Sequence, residues 1–379
     1  MEGIDTYFHD TIKANPQLRV RVGNPDEMRS NNLNRTLDLL KHRVTAPEEG
    51  VAESLDGSVI TALNEEAVIC ATLGNKGGIN LACSYEAFAV KMLGALRQDI
   101  IFSRNQRNLN QDQYWLSVPL VLTSHTWENG KNEQSHQDPT LCEALLGEMA
   151  DVSRVLFPVD YNSAQACLRA AYGDHGGIWS LVTPKRPQPI YFDAAQTERL
   201  MNDGAIKIFE TTTDKPIDLQ LVAVGAYQLA QHLIASKRLT EKGVSHNLTY
   251  ILDPSRFRSP RDELEKAMCS PSDIVEKLFP AHMSKRIFLS HTRPEILAGV
   301  LRPLDTGPQT KFLGYSNHGG TLCENGLLYA NGSTWAHVIE AAASISHMDL
   351  STLLSSSEVA ALQGKEDPAL LWSQQGGLQ

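Results

Sequence analysis

Apolar residues along this chain fall in short runs divided by polar stretches, and the runs carry two different periods. Trp115 to Leu122, Val152 to Val159 and Ile178 to Val182 have the length and content of buried strands. Between and after them come helical patterns: Leu141, Ala144 and Leu145 behind Pro139, then Asn162 to Ala171. Strand, loop and helix alternate, which argues for a mostly parallel sheet. The connector Thr183-Pro184-Lys185-Arg186-Pro187-Gln188-Pro189 is too rich in proline to lie inside a sheet. Upstream, residues 1–17 read as a polar lead-in, Leu18 to Val22 as a short strand and Gly23 to Glu27 as a turn. Ser30 is placed to cap a helix through Leu33, Leu37, Leu39 and Leu40. Residues 45–58 read as a polar loop before the apolar Val59 to Leu63. A helix is expected from Glu65 to Leu73, stopped by Gly74, and another from Tyr85 to Ile101 with Phe88, Met92, Leu93 and Leu96 on one face.

The second half repeats the alternation. Leu219 to Val224, Leu248 to Leu252, Ile287 to Ser290 and Lys311 to Tyr315 read as strands. Tyr227 to Ser236, Glu295 to Leu301 and Trp335 to Ile345 read as helices, with 253–266 irregular. The helix Ala194 to Gly204 leads to a boundary. A chain of 379 residues exceeds one ordinary core. The expected organisation is therefore two α/β domains with mostly parallel sheets, over 1–198 and 199–364, followed by a Gln- and Gly-rich tail at 365–379.

Composition narrows the function classes. A net charge of −10 with no strongly basic stretch argues against nucleic acid as a partner. No apolar run approaches the ~20 residues of a membrane span. The first fifteen residues are polar and of mixed charge, unlike a signal peptide. The six cysteines are scattered without metal-ligand spacing, which reads as reduced thiols in a cytoplasmic protein.

The densest chemistry lies just past the Trp115 to Leu122 strand, in Ser124-His125-Thr126-Trp127-Glu128-Asn129-Gly130-Lys131-Asn132-Glu133-Gln134-Ser135-His136-Gln137-Asp138-Pro139. A polar loop between a strand and a helix sits at the carboxyl edge of a sheet, where open α/β folds bind ligands. Nucleotide motifs are missing: there is no GxGxxG at a strand–helix junction and no Walker loop. Gly173-Asp174 is followed by His175, so the Gly-Asp-Gly signature of a metal–diphosphate site is missing as well. No GxSxG elbow or HExxH occurs.

Dispersed words in a consistent order resemble one family, the phosphoketolases. Asn24-Pro25-Asp26-Glu27 through Ser30-Asn31-Asn32-Leu33 is similar to "GPDE…SNRL", Leu63-Asn64-Glu65-Glu66 to "LSEH", and Tyr85-Glu86-Ala87-Phe88 to "YEAF". The loop resembles "SHTWRQDHNGFSHQDP", and Val182 to Gln188 resembles "AGKxPxPQ". Order and spacing agree over 18–190. The later half is similar only in general to a transketolase-type C-terminal domain.

The resemblance implies a member of the thiamine diphosphate superfamily: a transketolase-like pyrimidine-binding domain followed by a transketolase C-terminal-like domain. A full phosphoketolase carries a further, diphosphate-binding domain before these two. The expectation is therefore one half of a split enzyme, in hetero-oligomers with two copies of each chain. The companion subunit would supply the Mg2+ ligands. The activity implied is ketose phosphate cleavage with transfer of the two-carbon unit, to an aldehyde or to phosphate. A catalytically inactive scaffold or regulatory subunit is the alternative.

Residue by residue, the resemblance gives Glu65 the bond to the aminopyrimidine nitrogen, which needs a carboxyl shielded from water. By position alone Glu65 is a first-turn helix acid favoured by the dipole. Tyr85 would stack on the pyrimidine, with Phe88 beside it. His136 would exchange protons with the sugar hydroxyls. His125, Asn132, Ser30 and Lys185 would contact substrate, the last two at its phosphate. Two departures fall on the same chemistry. Asn32 replaces the Arg of "SNRL" and loses a bidentate phosphate donor. Lys131 replaces the first His of "DHNGFSH", and an ammonium is a poor base. Both losses weigh on the phosphate-acceptor reaction more than on ketol transfer to an aldehyde.

Overall fold

The computed structural model describes residues 1–212 and 217–372. The chain divides into two compact units. The first holds Met1–Glu128, Asp138–Met201 and Pro260–Met268; the second holds Asn129–Gln137, Asn202–Ser259 and Cys269–Gln379.

The first unit is built on eight strands: β1 (Val20–Gly23), β2 (His42–Arg43), β3 (Glu53–Ser54), β4 (Val59–Ile60), β5 (Ile79–Tyr85), β6 (Val118–Thr123), β7 (Ser153–Leu156) and β8 (Ile178–Val182). Their order is β3-β2-β4-β1-β5-β6-β8-β7, and every pair is parallel. The central β6 and β8 are buried along their whole length, which is why they read as unbroken apolar runs. The helices that accompany the sheet include α1 (Glu2–Ala14), α2 (Asn34–Leu40), α3 (Glu65–Leu73), α4 (Glu86–Ala89), α5 (Leu93–Asn108), α6 (Thr140–Leu146), α7 (Tyr161–Tyr172) and α8 (Ala194–Asp203), in the last of which the unit's 138–201 segment ends.

Three expectations change here. Residues 2–14 are not a polar lead-in but a helix, whose Ile4, Phe8 and Ile12 are buried and which packs on α7. Ser30 caps nothing: α2 begins after Leu33, and the Asp5 carboxylate instead accepts from the Arg35 and Thr36 amides at 2.9 and 3.0 Å. Tyr85 ends strand β5 rather than starting a helix, and the expected helix 85–101 is broken into α4, a 3-10 turn at Val90–Met92 and α5. Gly78 admits β5 beside the preceding chain, since a Cβ there would overlap the Arg19 carbonyl.

The second unit carries β9 (Ala205–Glu210), β10 (Leu219–Val224), β11 (Asn247–Ile251), β12 (Lys285–Ser290) and β13 (Thr310–Leu313), in the order β13-β12-β10-β11-β9. All pairs are parallel except β9 with β11, an antiparallel edge. The helix α9 (Ala226–Glu241) and the helix Trp335–Ser346 pack together and on the buried β10 and β12. Of the tail expected at 365–379, Pro368–Leu371 form a 3-10 turn whose Leu371 carbonyl accepts from the Trp335 indole at 2.8 Å, and residues 373–379 lie outside the described residues. No helix among the described residues is long and apolar enough to cross a membrane, and none of the six cysteines is in a disulfide.

Candidate functional site

In the first unit the carboxyl ends of β1, β4 and β5 deliver a compact set of side chains. Past β4 the chain turns at Asn64, whose side chain accepts from the Ala67 amide at 2.9 Å and caps α3. That cap makes Glu65 the first residue of α3. Its carboxylate is buried, with only 9% of the side chain exposed. Tyr85, the last residue of β5, and Phe88 on α4 stack with ring centroids 6.1 Å apart and planes at 19°. The Tyr85 hydroxyl lies 3.0 Å from Ser30 Oγ, which also donates to the Glu27 carbonyl at 3.0 Å. Lys185 holds its ammonium 5.3 Å from the Tyr85 ring centroid, a cation–π contact. Asn32, in the left-handed region at φ 58°, donates to the Lys185 carbonyl at 3.1 Å. Glu65, Tyr85, Phe88, Ser30, Asn32 and Lys185 are thus brought into one neighbourhood of the first unit.

Two residues to which the sequence reading gave no role join them. Lys91 donates to both Glu65 oxygens at 3.2 Å and sits 5.3 Å from the Phe88 ring centroid. Asp26 accepts from the Tyr85 amide at 3.3 Å. Burial pushes the Asp26 carboxyl above the ordinary aspartate range, and the nearby Glu65 charge adds to that effect. Lys91 stands three residues after Phe88, and Asp26 stands inside the Asn24-Pro25-Asp26 word. The chain positions were in plain view, but their approach to Glu65 is tertiary.

Buried acids hold the surrounding loops. Glu86 accepts from the Thr126 amide and hydroxyl at 2.8 and 3.0 Å, which ties the start of the loop after β6 to α4. Glu128 accepts from the Lys185 and Arg186 amides at 2.8 and 3.0 Å and so shapes the proline-rich connector. His125 lies between these anchors, fully buried.

The rest of the loop belongs to the second unit. The Gly130 carbonyl accepts from the Leu322 amide at 2.8 Å, and a Cβ at Gly130 would overlap the Leu322 carbonyl. Gln137 donates to the Asn129 and Gly320 carbonyls at 2.9 and 3.0 Å, and the Tyr315 hydroxyl donates to the Gln137 carbonyl at 2.6 Å. On this frame Lys131 is exposed, Asn132 donates to Asn129 Oδ1 at 3.0 Å, and His136 Nδ1 lies 3.0 Å from Ser135 Oγ. These three candidate residues are therefore held by the second unit.

A family model described as D-xylulose 5-phosphate/D-fructose 6-phosphate phosphoketolase matches residues 2–173. The chain is 25% identical over 309 residues to a probable phosphoketolase of Pediococcus pentosaceus, covering 78% of this chain and 38% of the relative. By these matches the chain is similar to phosphoketolases, and the family model covers its residues 2–173. The chain spans about two fifths of the length of the curated phosphoketolases it matches. Its fold is that of transketolases: the Leishmania mexicana enzyme superposes with a TM-score of 0.68 at 17% identity, over 91% of this chain and 45% of that one. A chain described as a split gene transketolase, inactive beta4 tetramer, superposes at 0.57 and 15% identity over 93% of this chain and 98% of its own.

The similarity to phosphoketolases implies thiamine diphosphate as the group that the first unit would meet. Its donor set suits the aminopyrimidine end: a shielded carboxylate at a helix start, stacked aromatic rings beside it, and hydroxyl and ammonium groups around them. The diphosphate end has no matching Gly-Asp-Gly in the sequence.

Proposed function

We propose that this phosphoketolase-like chain is the pyrimidine-binding and C-terminal half of a split thiamine diphosphate enzyme that cleaves a ketose phosphate and transfers its two-carbon unit. The observation that carries the reading is Glu65, buried at the first turn of α3 beside the stacked pair Tyr85 and Phe88. When bound, thiamine diphosphate supplies a carbon centre that accepts the two-carbon fragment and stabilises its negative charge. Glu65 would hold a proton at the pyrimidine nitrogen, and Tyr85 with Phe88 would fix the ring plane. Ser30 and Lys185 would take the substrate phosphate, by hydroxyl and point charge. His136 would exchange protons with sugar hydroxyls, with His125, Asn132 and Lys131 as further substrate contacts. Asn32 offers an amide where the resembled family has a guanidinium.

Mg2+ and the diphosphate would be held by a companion chain, since the sequence offers no Gly-Asp-Gly. The split gene transketolase chain, matched over nearly its full length, supports a two-chain arrangement. Two copies of each chain is the stoichiometry we propose. Asn32 and Lys131 weaken phosphate and proton handling, so ketol transfer to an aldehyde is favoured over acetyl phosphate formation. The test is reconstitution with a companion carrying Gly-Asp-Gly, supplied with Mg2+, thiamine diphosphate and D-xylulose 5-phosphate. Aldose-dependent ketose exchange supports transfer, and phosphate-dependent acetyl phosphate overturns the acceptor preference. A second reading, a catalytically inactive scaffold, is favoured by one observation: Lys91 already occupies both Glu65 oxygens. No turnover with any companion would sustain it.

A further inference from the structure

The pairing of Lys91 with Glu65 has a direct consequence for ligand entry, and it rests on the reading of Glu65 as the pyrimidine-binding acid. An aminopyrimidine needs two things from this site: the carboxylate and the face of an aromatic ring. One side chain already takes both. Lys91 Nζ lies 3.2 Å from each Glu65 oxygen and 5.3 Å from the Phe88 ring centroid. The other aromatic, Tyr85, carries the Lys185 ammonium on its ring.

We propose that Lys91 is a self-ligand of the pyrimidine site, whose displacement sets the affinity of that site for an aminopyrimidine. The side chain can leave. It is 60% exposed, on the 3-10 turn Val90–Met92 between α4 and α5, whereas Glu65 is held by α3. Departure of Lys91 into water exposes the Glu65 carboxylate, which α3 keeps in place. A half-exposed ion pair of this kind is worth on the order of 1 kcal/mol, which converts to about a fivefold factor in affinity. The site would therefore be weakened, not closed, and binding would respond to anything that loosens the pair.

The experiment uses the full chain and a neutral probe, 4-amino-5-hydroxymethyl-2-methylpyrimidine, titrated by calorimetry or ligand-observed NMR. Lys91→Met keeps the side-chain length and removes the charge; Lys91→Arg keeps the charge. Expected are binding about fivefold tighter for Lys91→Met than for wild type, and an affinity near wild type for Lys91→Arg. Added salt should tighten binding to wild type, by screening the internal pair, and leave Lys91→Met unmoved. Glu65→Gln in the Lys91→Met background should lose the gain. Equal or weaker binding by Lys91→Met, with Glu65→Gln still damaging in that background, overturns the self-ligand and leaves the Glu65 reading standing. Binding indifferent to Glu65, or no binding by any variant, overturns both.

Discussion

The connector that carries Lys185 should depend on one buried acid. Glu128 accepts from the Lys185 and Arg186 amides at 2.8 and 3.0 Å, and its residue is only 9% exposed. Hydrogen bonds to a charged acceptor contribute about 1.5 kcal/mol each, so Glu128→Ala should cost about 3 kcal/mol. Glu128→Gln keeps one acceptor oxygen and should cost roughly half as much. Much of the loss should stay local, because the connector 183–189 contains no strand or helix. Amide hydrogen exchange resolved at Lys185 and Arg186 is the assay. A local loss of about 3 kcal/mol corresponds to exchange faster by on the order of a hundredfold at those two amides. Amides of the neighbouring β8 should change little. Lys185 would lose its fixed place beside Tyr85, so phosphate affinity should fall together with protection. Unchanged exchange at 185 and 186 in Glu128→Ala would refute the anchoring role, whatever the global stability did.

Other outcomes follow from the same structure. In the second unit, burial pulls the His232 imidazole down to about 4 from an ordinary 6.5. Its folded pKa lies below its unfolded one, so its contribution is intact above pH 6.5 and is lost as pH falls through about 4. Urea midpoints should drop over that window, and His232→Gln should flatten the drop; a wild-type midpoint independent of pH would contradict this. Glu358 pairs with Arg238 at 2.8 and 2.9 Å, which pulls its carboxyl down to about 2. That contribution is present above its ordinary 4.5 and fades toward pH 2. Glu358→Gln should therefore cost about 1 kcal/mol at neutral pH and nothing at pH 2, by thermal or denaturant melts. At Gly23 an added Cβ would overlap Thr72 Oγ1 and meet Val68 Cγ1 at 2.9 Å. Gly23→Ala should lower stability by about 1–3 kcal/mol by pushing α3 from β1, and a melting temperature at or above wild type would count against that packing.

Much of the fold was legible because its strands are buried on both faces. Ile178–Val182 and Leu219–Val224 form β8 and β10 over the residues their apolar runs mark. The helix Glu65–Leu73 was legible from its apolar run and its glycine end. Other elements were hidden by local features. Ile4, Phe8 and Ile12 stand four apart in polar sequence, a sparse stripe that needed its partner α7 to be convincing. The strand β5 runs directly into Tyr85 and α4 with no loop between, so the helical stripe beyond it absorbed its last residue. The antiparallel β9 is an edge strand with an exposed half, and its mixed pattern Ala205–Glu210 gave no period.

For the site, residue types and words were legible and their company was not. Glu65, Tyr85, Phe88, Ser30, Asn32 and Lys185 were named from motif words, and they gather in one unit. The contribution of Lys91 comes from a turn of 3-10 helix between α4 and α5 that periodicity does not encode. The split of the loop after β6 is likewise tertiary: Glu86 holds Thr126, while Gln137 and Tyr315 hold the other end.

The central claim is that Glu65 is the acid around which this chain binds its share of the cofactor. It is tested most directly by turnover of D-xylulose 5-phosphate in the chain reconstituted with a diphosphate-binding companion, comparing wild type with Glu65→Gln at equal occupancy of the complex. The account predicts that Glu65→Gln abolishes two-carbon transfer while the two chains still associate. Activity of the Glu65→Gln complex equal to wild type would contradict it.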